Sequence, residues 1–270
     1  MRVEFDKMEG AGNDFILIDN RSERLPEECK IRLVEEFCHR SFGIGADGMI
    51  FVQEDPEFDF SWDFYNSDGS RAEMCGNGAR CVARFARKIG AAGDRMTFRS
   101  LAGPIQAELT GRGAKVGLPD AVIPDSSQAL DLDENYMQVW LLNTGVPHAV
   151  VQVPDLDSVD VVKVGRQLRY HPYFSPAGTN VDFFSPLAGN RLAIRTYERG
   201  VEAETLGCGT GSVATCIVAG RFFGMTAPIT ALTRGGGELV VHFRDEQHRR
   251  ATDVFLEGGA RMVFTGAFEF

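Results

Sequence analysis

Two short stretches put a cysteine next to glycine where an apolar segment opens. "MCGNGARC" runs from Met74 to Cys81, and "LGCGTGS" runs from Leu206 to Ser212. The first turn of a helix carries free backbone N–H groups and a partial positive charge. A thiol placed there has a lowered pKa and a larger thiolate fraction. The same N–H groups bind anions, carboxylates included. In Gly76-Asn77-Gly78 and Gly209-Thr210-Gly211 the missing side chains let a ligand come close to the backbone. Cys75 and Cys208 each read as an activated thiol beside a carboxylate pocket. Two such thiols suit one reaction particularly well, the inversion of a carbon next to a carboxylate. One thiolate removes the proton from one face, and one thiol returns a proton to the other. Negative charge builds onto the carboxylate during removal, and helix N-termini aimed at it would stabilise that charge. No cofactor is required in principle. The chain has no G-x-x-x-x-G-K-[ST] and no G-x-G-x-x-G between a strand and a helix.

The elements that must position these thiols repeat. "FYNSDGSRAEMCGNGARCVARFARKIG" (64–90) and "TYERGVEAETLGCGTGSVATCIVAGRFFG" (196–224) each run strand, tyrosine, polar turn, C-G-x-G, then an apolar helix closed by glycine. Tyr65 precedes Cys75 by ten residues and Tyr197 precedes Cys208 by eleven. The remainder is mostly short alternating segments that predict strands, such as "RVEFDKM", "FILIDN", "GMIFVQ", "IQAELT", "TNVDFFSP" and "RLAIRTYERG". Two further helices are predicted, over "PEECKIRLVEEFCHR" and over "SVDVVKVGRQLRYHPYF". The expected architecture is mixed α/β of the α+β type, in two similar domains. The first spans 1–118 and carries Cys75, with the final strand 263–270 returning to it. The second spans 119–262 and carries Cys208. The segment 118–127, with two prolines, reads as the linker between them.

Composition narrows the class. Hydrophobic residues make up 44% and charged residues 24% of the 270, ordinary values for a globular protein. The net charge of −10 disfavours nucleic acid, which asks for a basic face. No run reaches the roughly 18–20 apolar residues of a membrane span, and the start lacks a signal-peptide pattern, so the expected location is cytoplasmic. Six cysteines show no C-x2-C spacing, and no structural metal is expected. Cys29, Cys38, Cys81 and Cys216 read as packing residues.

A cysteine–histidine hydrolase is the rival chemistry. Of the histidines, only His148, in "TGVPHAV", stands at a turn that opens a strand. A hydrolase leaves the second helix-start cysteine unexplained. A non-catalytic amino-acid-binding protein would have no use for both thiols. "GIGADG" and "GAGNDF" read as turns, and Arg199 in "YERG" could clamp a carboxylate bidentately.

With these residues on the page, the chain closely resembles the diaminopimelate epimerase family. The matching pieces are "KMEGAGNDF", "GIGADG", "FYNSDGSRAEMCGNGARC", the proline-histidine pair of "NTGVPHAV", "GTNVDFF", "YERGVEAETLGCGTG" and the terminal "TGAFEF", in the family's order over almost the whole chain. The resemblance implies a cofactor-independent enzyme that interconverts LL- and meso-diaminopimelate, serving lysine and peptidoglycan synthesis. It implies two pseudo-symmetric domains, each a mostly antiparallel, barrel-like sheet around a central helix, and a protein that is cytoplasmic and often a homodimer. Carried over motif by motif, it makes Cys75 and Cys208 the acid/base pair. The backbones of Gly76, Asn77, Gly209 and Thr210 would hold the reacting carboxylate. Asn13, Asn66, Asn180, Glu198 and Arg199 would line the substrate pocket, with Arg199 on the distal carboxylate and Glu198 on an amino group. His148 would stand near the reacting centre. Two positions depart from the pattern: Val146 stands where the family motif G-N-P-H has asparagine, and valine offers no hydrogen bond, and Gly48 in "GIGADG" stands where some members have glutamine and others glycine. A related racemase acting on proline, glutamate or histidine is the alternative that Val146 keeps open.

Two thiols aimed at one carbon carry a redox expectation as well. Oxidants should join Cys75 to Cys208 and stop activity, and dithiothreitol should restore it. Mass spectrometry that found both thiols unmodified in oxidised, inactive protein would reject this.

Overall fold

A computed structural model describes residues 2–22, 25–111, 113–132, 135–246 and 249–269. The chain divides into two compact units, Met1–Val116 with Glu257–Phe270, and Gly117–Leu256.

The first unit opens with β1 (Arg2–Gly10), β2 (Asn13–Asp19), α1 (Glu27–Phe37), β3 (Gly48–Gln53) and β4 (Phe60–Asn66). It continues with α2 (Gly76–Lys88), β5 (Arg95–Ser100), β6 (Gly103–Thr110) and β7 (Gly113–Gly117). β1 pairs antiparallel with β2, β2 parallel with β3, β3 antiparallel with β4, and β4 parallel with β5. β5, β6 and β7 then form an antiparallel meander.

The second unit holds β8 (Ala121–Val122), β9 (Gln128–Leu132), β10 (Asn135–Asn143), β11 (Pro147–Gln152), α3 (Val161–Arg169) and β12 (Asn180–Pro186). After these come β13 (Arg191–Glu198), β14 (Ala203–Thr205), α4 (Gly209–Phe223), β15 (Ile229–Leu232), β16 (Glu238–Glu246) and β17 (Arg250–Gly259). The alternation of the first unit recurs: β10–β11 antiparallel, β11–β12 parallel, β12–β13 antiparallel, β13–β15 parallel and β15–β16 antiparallel. β18 (Arg261–Glu269) returns to pair antiparallel with β1. Phe270, included in the expected final strand, lies outside the described residues.

Side chains on a strand point alternately to its two faces, and this fixes what each helix sees. On β3, Met49 and Phe51 join Ile16, Ile18, Leu33 and Val34 in the core under α1. Ile50 faces the other way, where its Cδ1 lies 3.3 Å from where a Cβ on Gly78 of α2 would stand. In the second unit Val181 and Phe183 of β12 pack with Val161 and Leu168 of α3. Asp182 and Phe184 face α4, where the Phe184 ring meets Phe223 at 5.4 Å. One helix of each unit thus covers a sheet face, while α2 and α4 are enclosed. α4 is buried continuously from Gly211 to Ala219, so its sequence is apolar on every side. Cys81 and Cys216 are fully buried in these two helices, and Cys38 caps α1 in the core. Burial pushes the Cys38 thiol up to about 12, against the weaker opposing charge of Lys7.

Two sequence expectations are corrected. The helix expected over 158–174 ends at Arg169, and Pro172–Phe174 forms a separate 3-10 turn. Proline removes a helical donor and disfavours the helical region for the residue before it. The segment read as a linker begins beside the boundary between the two units and holds β8, which pairs with β17 through Ala121 and Val122. Finally, β9 and β14 are strands that the sequence did not mark, each completed by pairing with a longer neighbour, β10 and β13.

Candidate active site

Cys75 and Cys208 are the N-caps of α2 and α4. Both have extended backbone, and each sulfur accepts the N–H of the residue three positions on. The distances are 3.5 Å from Gly78 and 3.4 Å from Gly211. Helices prefer Ser, Thr, Asp or Asn at this position. Cysteine is a weaker acceptor, so its presence at both caps is better explained by chemistry than by helix stability.

Around Cys75 the first unit builds a chain of amides. Asn13 Oδ1 faces the Cys75 Sγ at 3.6 Å and accepts from Asn77 Nδ2 at 3.4 Å. Asn13 Nδ2 donates to the Asp47 carboxylate. Asn77 Oδ1 accepts from Arg80 at 2.7 Å. A carboxylate only accepts and a guanidinium only donates, so the two ends fix both amides in one orientation. Asp47 is itself tied down: Arg40 bridges it at 2.6 Å and Asp14 at 2.8 Å, and Lys7 reaches Asp14 at 2.7 Å.

Asp14 yields a pH prediction. Burial alone would raise its pKa, but hydrogen bonds and charge from Arg40 and Lys7 outweigh this and bring it down to about 2. A lowered folded-state value means a contribution that is complete above the ordinary 3.8 and is lost as pH falls through about 2. Asp14→Asn should therefore be less stable than the parent at pH 5, with the gap narrowing towards pH 2. Urea unfolding across that range reads it, and a constant gap would reject the assignment.

Around Cys208 the second unit builds a different chain. The Thr210 hydroxyl lies 3.5 Å from Cys208 Sγ and 3.0 Å from His148 Nε2. His148 Nδ1 meets Asp182 Oδ2 at 2.7 Å, and Thr196 donates to Asp182 Oδ1 at 2.7 Å. His148 and Asp182 are buried to 1% and 0% exposure. The carboxylate makes Nδ1 the donor. In a neutral ring Nε2 then accepts from Thr210, whose oxygen is left to accept from the Cys208 thiol. A Cβ on Gly211 would collide with Asp182 Oδ1. Glycine there lets the first turn of α4, with its positive end, settle on the buried carboxylate.

Desolvation holds Cys208 well above the ordinary thiol range, and the negative charges of Glu198 and Asp182 add to it. The Gly211 N–H, which donates to the sulfur, acts the other way without reversing it. Glu198 is also raised, by burial first. At neutral pH Cys208 is a protonated thiol.

The family model described as diaminopimelate epimerase matches residues 5–123 and 140–263. A diaminopimelate epimerase of Aquifex aeolicus (strain VF5) is 44% identical, over 98% of this chain and 97% of its own. One from Archaeoglobus fulgidus is 41% identical, over 98% and 96%. The chain belongs to the diaminopimelate epimerase family. Among solved structures, a phenazine biosynthesis protein of the PhzF family from Bacillus anthracis superposes with a TM-score of 0.75 at 14% identity, covering 100% of both chains. A hydroxyproline epimerase from Agrobacterium vitis gives 0.69 at 14% identity, over 98% of this chain and 92% of that one. At such identities these two share the fold.

For the residues that the epimerase resemblance singled out, the structure gives places within each unit. Asn13, Cys75, Gly76 and Asn77 come together at the start of α2. Asn66 does not join them: it is exposed at the end of β4, and its amide turns to Ser70 Oγ at 3.0 Å. Glu198, Cys208, Gly209, Thr210 and His148 gather at the start of α4. Asn180 sits beside His148 in the β11–β12 register, and its Oδ1 accepts the Arg199 N–H at 2.9 Å. Arg199 is half-buried and makes no ion pair among the described residues. Val146 is half-buried in the bend that leads into β11. The sequence reading missed Asp47, Arg80, Asp182 and Thr196. Asp182 had a visible signal, an acid inside the apolar run "NVDFF", and Arg80 had one too, a cation between Ala79 and Cys81. No helix among the described residues is long and apolar enough to cross a membrane.

Proposed function

We propose that this chain interconverts LL- and meso-diaminopimelate by two-base proton exchange at the α-carbon, in the cytoplasm, for lysine and peptidoglycan precursors. The observation that carries the reading is the pair of N-cap thiols at equivalent places in a repeated topology, in a chain of this family. Cys75 and Cys208 serve opposite faces of the carbon. Cys208, protonated in the free protein, gives the proton when Cys75 takes one, and the roles reverse for the other isomer. The backbone N–H groups that open α2 and α4 receive the reacting carboxylate and the charge that builds on it. Arg199, without an acid partner among the described residues, takes the distal carboxylate. Asn13 near the start of α2, and Asn180 and Glu198 near the start of α4, contact the substrate. The reaction needs no cofactor, and the ligand is a small amino acid rather than nucleic acid or membrane. A homodimer is the expected assembly.

A second reading, a racemase for proline, glutamate or histidine, is favoured by Val146, whose side chain cannot hydrogen-bond a distal amino-acid group. Proton NMR in D2O with LL-diaminopimelate and no added cofactor separates the two. Deuterium at the α-position with appearance of the meso isomer supports the first. No exchange in freshly reduced protein, followed by exchange with one of the other amino acids, replaces it with the second.

A further inference from the structure

The two thiol sites share a backbone plan but differ in the charge buried beside them. Five residues after Cys75 stands Arg80; five after Cys208 stands Val213. Both side chains are fully buried. Arg80 directs Nε to Gly259 O at 3.3 Å, one terminal nitrogen to Gly76 O at 3.2 Å, and the other to Asn77 Oδ1 at 2.7 Å. All three acceptors are neutral. Among the described residues no carboxylate pairs with it. Glu9 of β1, the acid whose charge reaches it, is already joined to Arg261 at 3.0 Å. The other titratable or charged groups around it are Cys75, Cys81 and Arg84, none of them an acid side chain. Beside Cys208 the buried charges are the carboxylates of Asp182 and Glu198.

A buried cation without an acid is costly to keep. Helix geometry alone does not ask for it, since the same position in α4 is a valine. Two of its hydrogen bonds end on the residues that follow Cys75, at Gly76 O and Asn77 Oδ1, in the turn whose Gly78 N–H donates to the Cys75 sulfur.

We propose that Arg80 is a positioning residue of the Cys75 site, a buried cation left without an acid so that negative charge on the Cys75 sulfur is what balances it. The two related sites then hold opposite bias: Cys75 towards thiolate, Cys208 towards thiol. A two-base mechanism needs one of each before substrate arrives. This assignment rests on Cys75 being a proton-transfer group, as proposed above, but its test does not need the substrate.

The test is the pH dependence of iodoacetamide alkylation at Cys75 and Cys208, resolved by mass spectrometry in the same sample. Arg80→Met should slow Cys75 alkylation at pH 7 by about tenfold or more, a shift of about one pH unit upward. The Cys208 profile should stay in place, and Arg80→Lys, which keeps the charge, should stay near the parent. A folded Arg80→Met whose Cys75 profile matches the parent overturns the proposal, as does Arg80→Lys behaving like Arg80→Met. A second measurement uses the parent protein alone. Coupling between two groups is reciprocal, so the Arg80 Nε–H resonance should move with the same inflection as Cys75 alkylation. A resonance flat through that inflection overturns the proposal even where Arg80→Met does not fold. Loss of the alkylation shift with epimerisation intact rejects Arg80 alone. An intact shift without epimerisation rejects the functional reading alone.

Discussion

Replacing Cys75 or Cys208 by alanine should each lower epimerisation by about 10²–10⁴-fold or more, the range that a positioned proton-transfer group supplies. The two losses should be similar, because inversion needs removal from one face and return to the other. Neither thiol can do both. The serine variants make the cleaner comparison. Serine is a preferred N-cap residue, so Cys208→Ser should keep the start of α4 and the stability of its unit. A hydroxyl is a much weaker base at neutral pH, so activity should still fall close to that of the alanine variant. A stable, inactive serine protein locates the loss in the chemistry rather than in the helix. The measurement is appearance of the second isomer, with deuterium incorporation followed in parallel. Full activity in any one of the four variants would sink the two-thiol mechanism.

Asp182→Ala should destabilise the second unit by about 2–6 kcal/mol, about 1–3 kcal/mol for each of two buried donors left without an acceptor. Two donors lose their acceptor at once, His148 Nδ1 at 2.7 Å and Thr196 Oγ1 at 2.7 Å. Both residues are almost fully buried, so water does not replace the bonds. The positive end of α4 also loses the carboxylate on which Gly211 lets it rest. Against a typical folding free energy of 5–15 kcal/mol, this is the largest stability effect expected of a single side chain near the site. Asp182→Asn should cost less, because one oxygen still accepts, while its amide nitrogen must face a donor. Urea unfolding of the three proteins reads the series. A loss below about 1 kcal/mol for the alanine variant would show that the buried network carries little stability.

What could be read beforehand was local and periodic. The repeat of tyrosine, polar turn, C-G-x-G and apolar helix marked two equivalent N-caps, because capping and glycine placement depend on neighbours in the chain. Strand alternation gave most of the sheet, and the proline at 172 would have ended α3 on time had it been weighed against the apolar spacing before it. β9 and β14 were not legible, since short strands form only when a longer neighbour supplies the hydrogen bonds.

The sequence by itself determined the chemistry on offer: two thiols at two helix starts, each with glycines that open the backbone to an anion. Only the tertiary structure decided how the two differ. Alternation along β11, β12 and β13 turns His148, Asp182, Thr196 and Glu198 towards the start of α4, and no spacing in the chain announces that these four converge. Folding likewise buries Arg80 at the start of α2 and brings Gly259, 179 residues on, to join Gly76 and Asn77 as its hydrogen-bond acceptors. Proton affinity depends on burial and on nearby charge, and both are set by which faces meet. Two nearly equivalent motifs therefore became two sites of opposite electrostatic character.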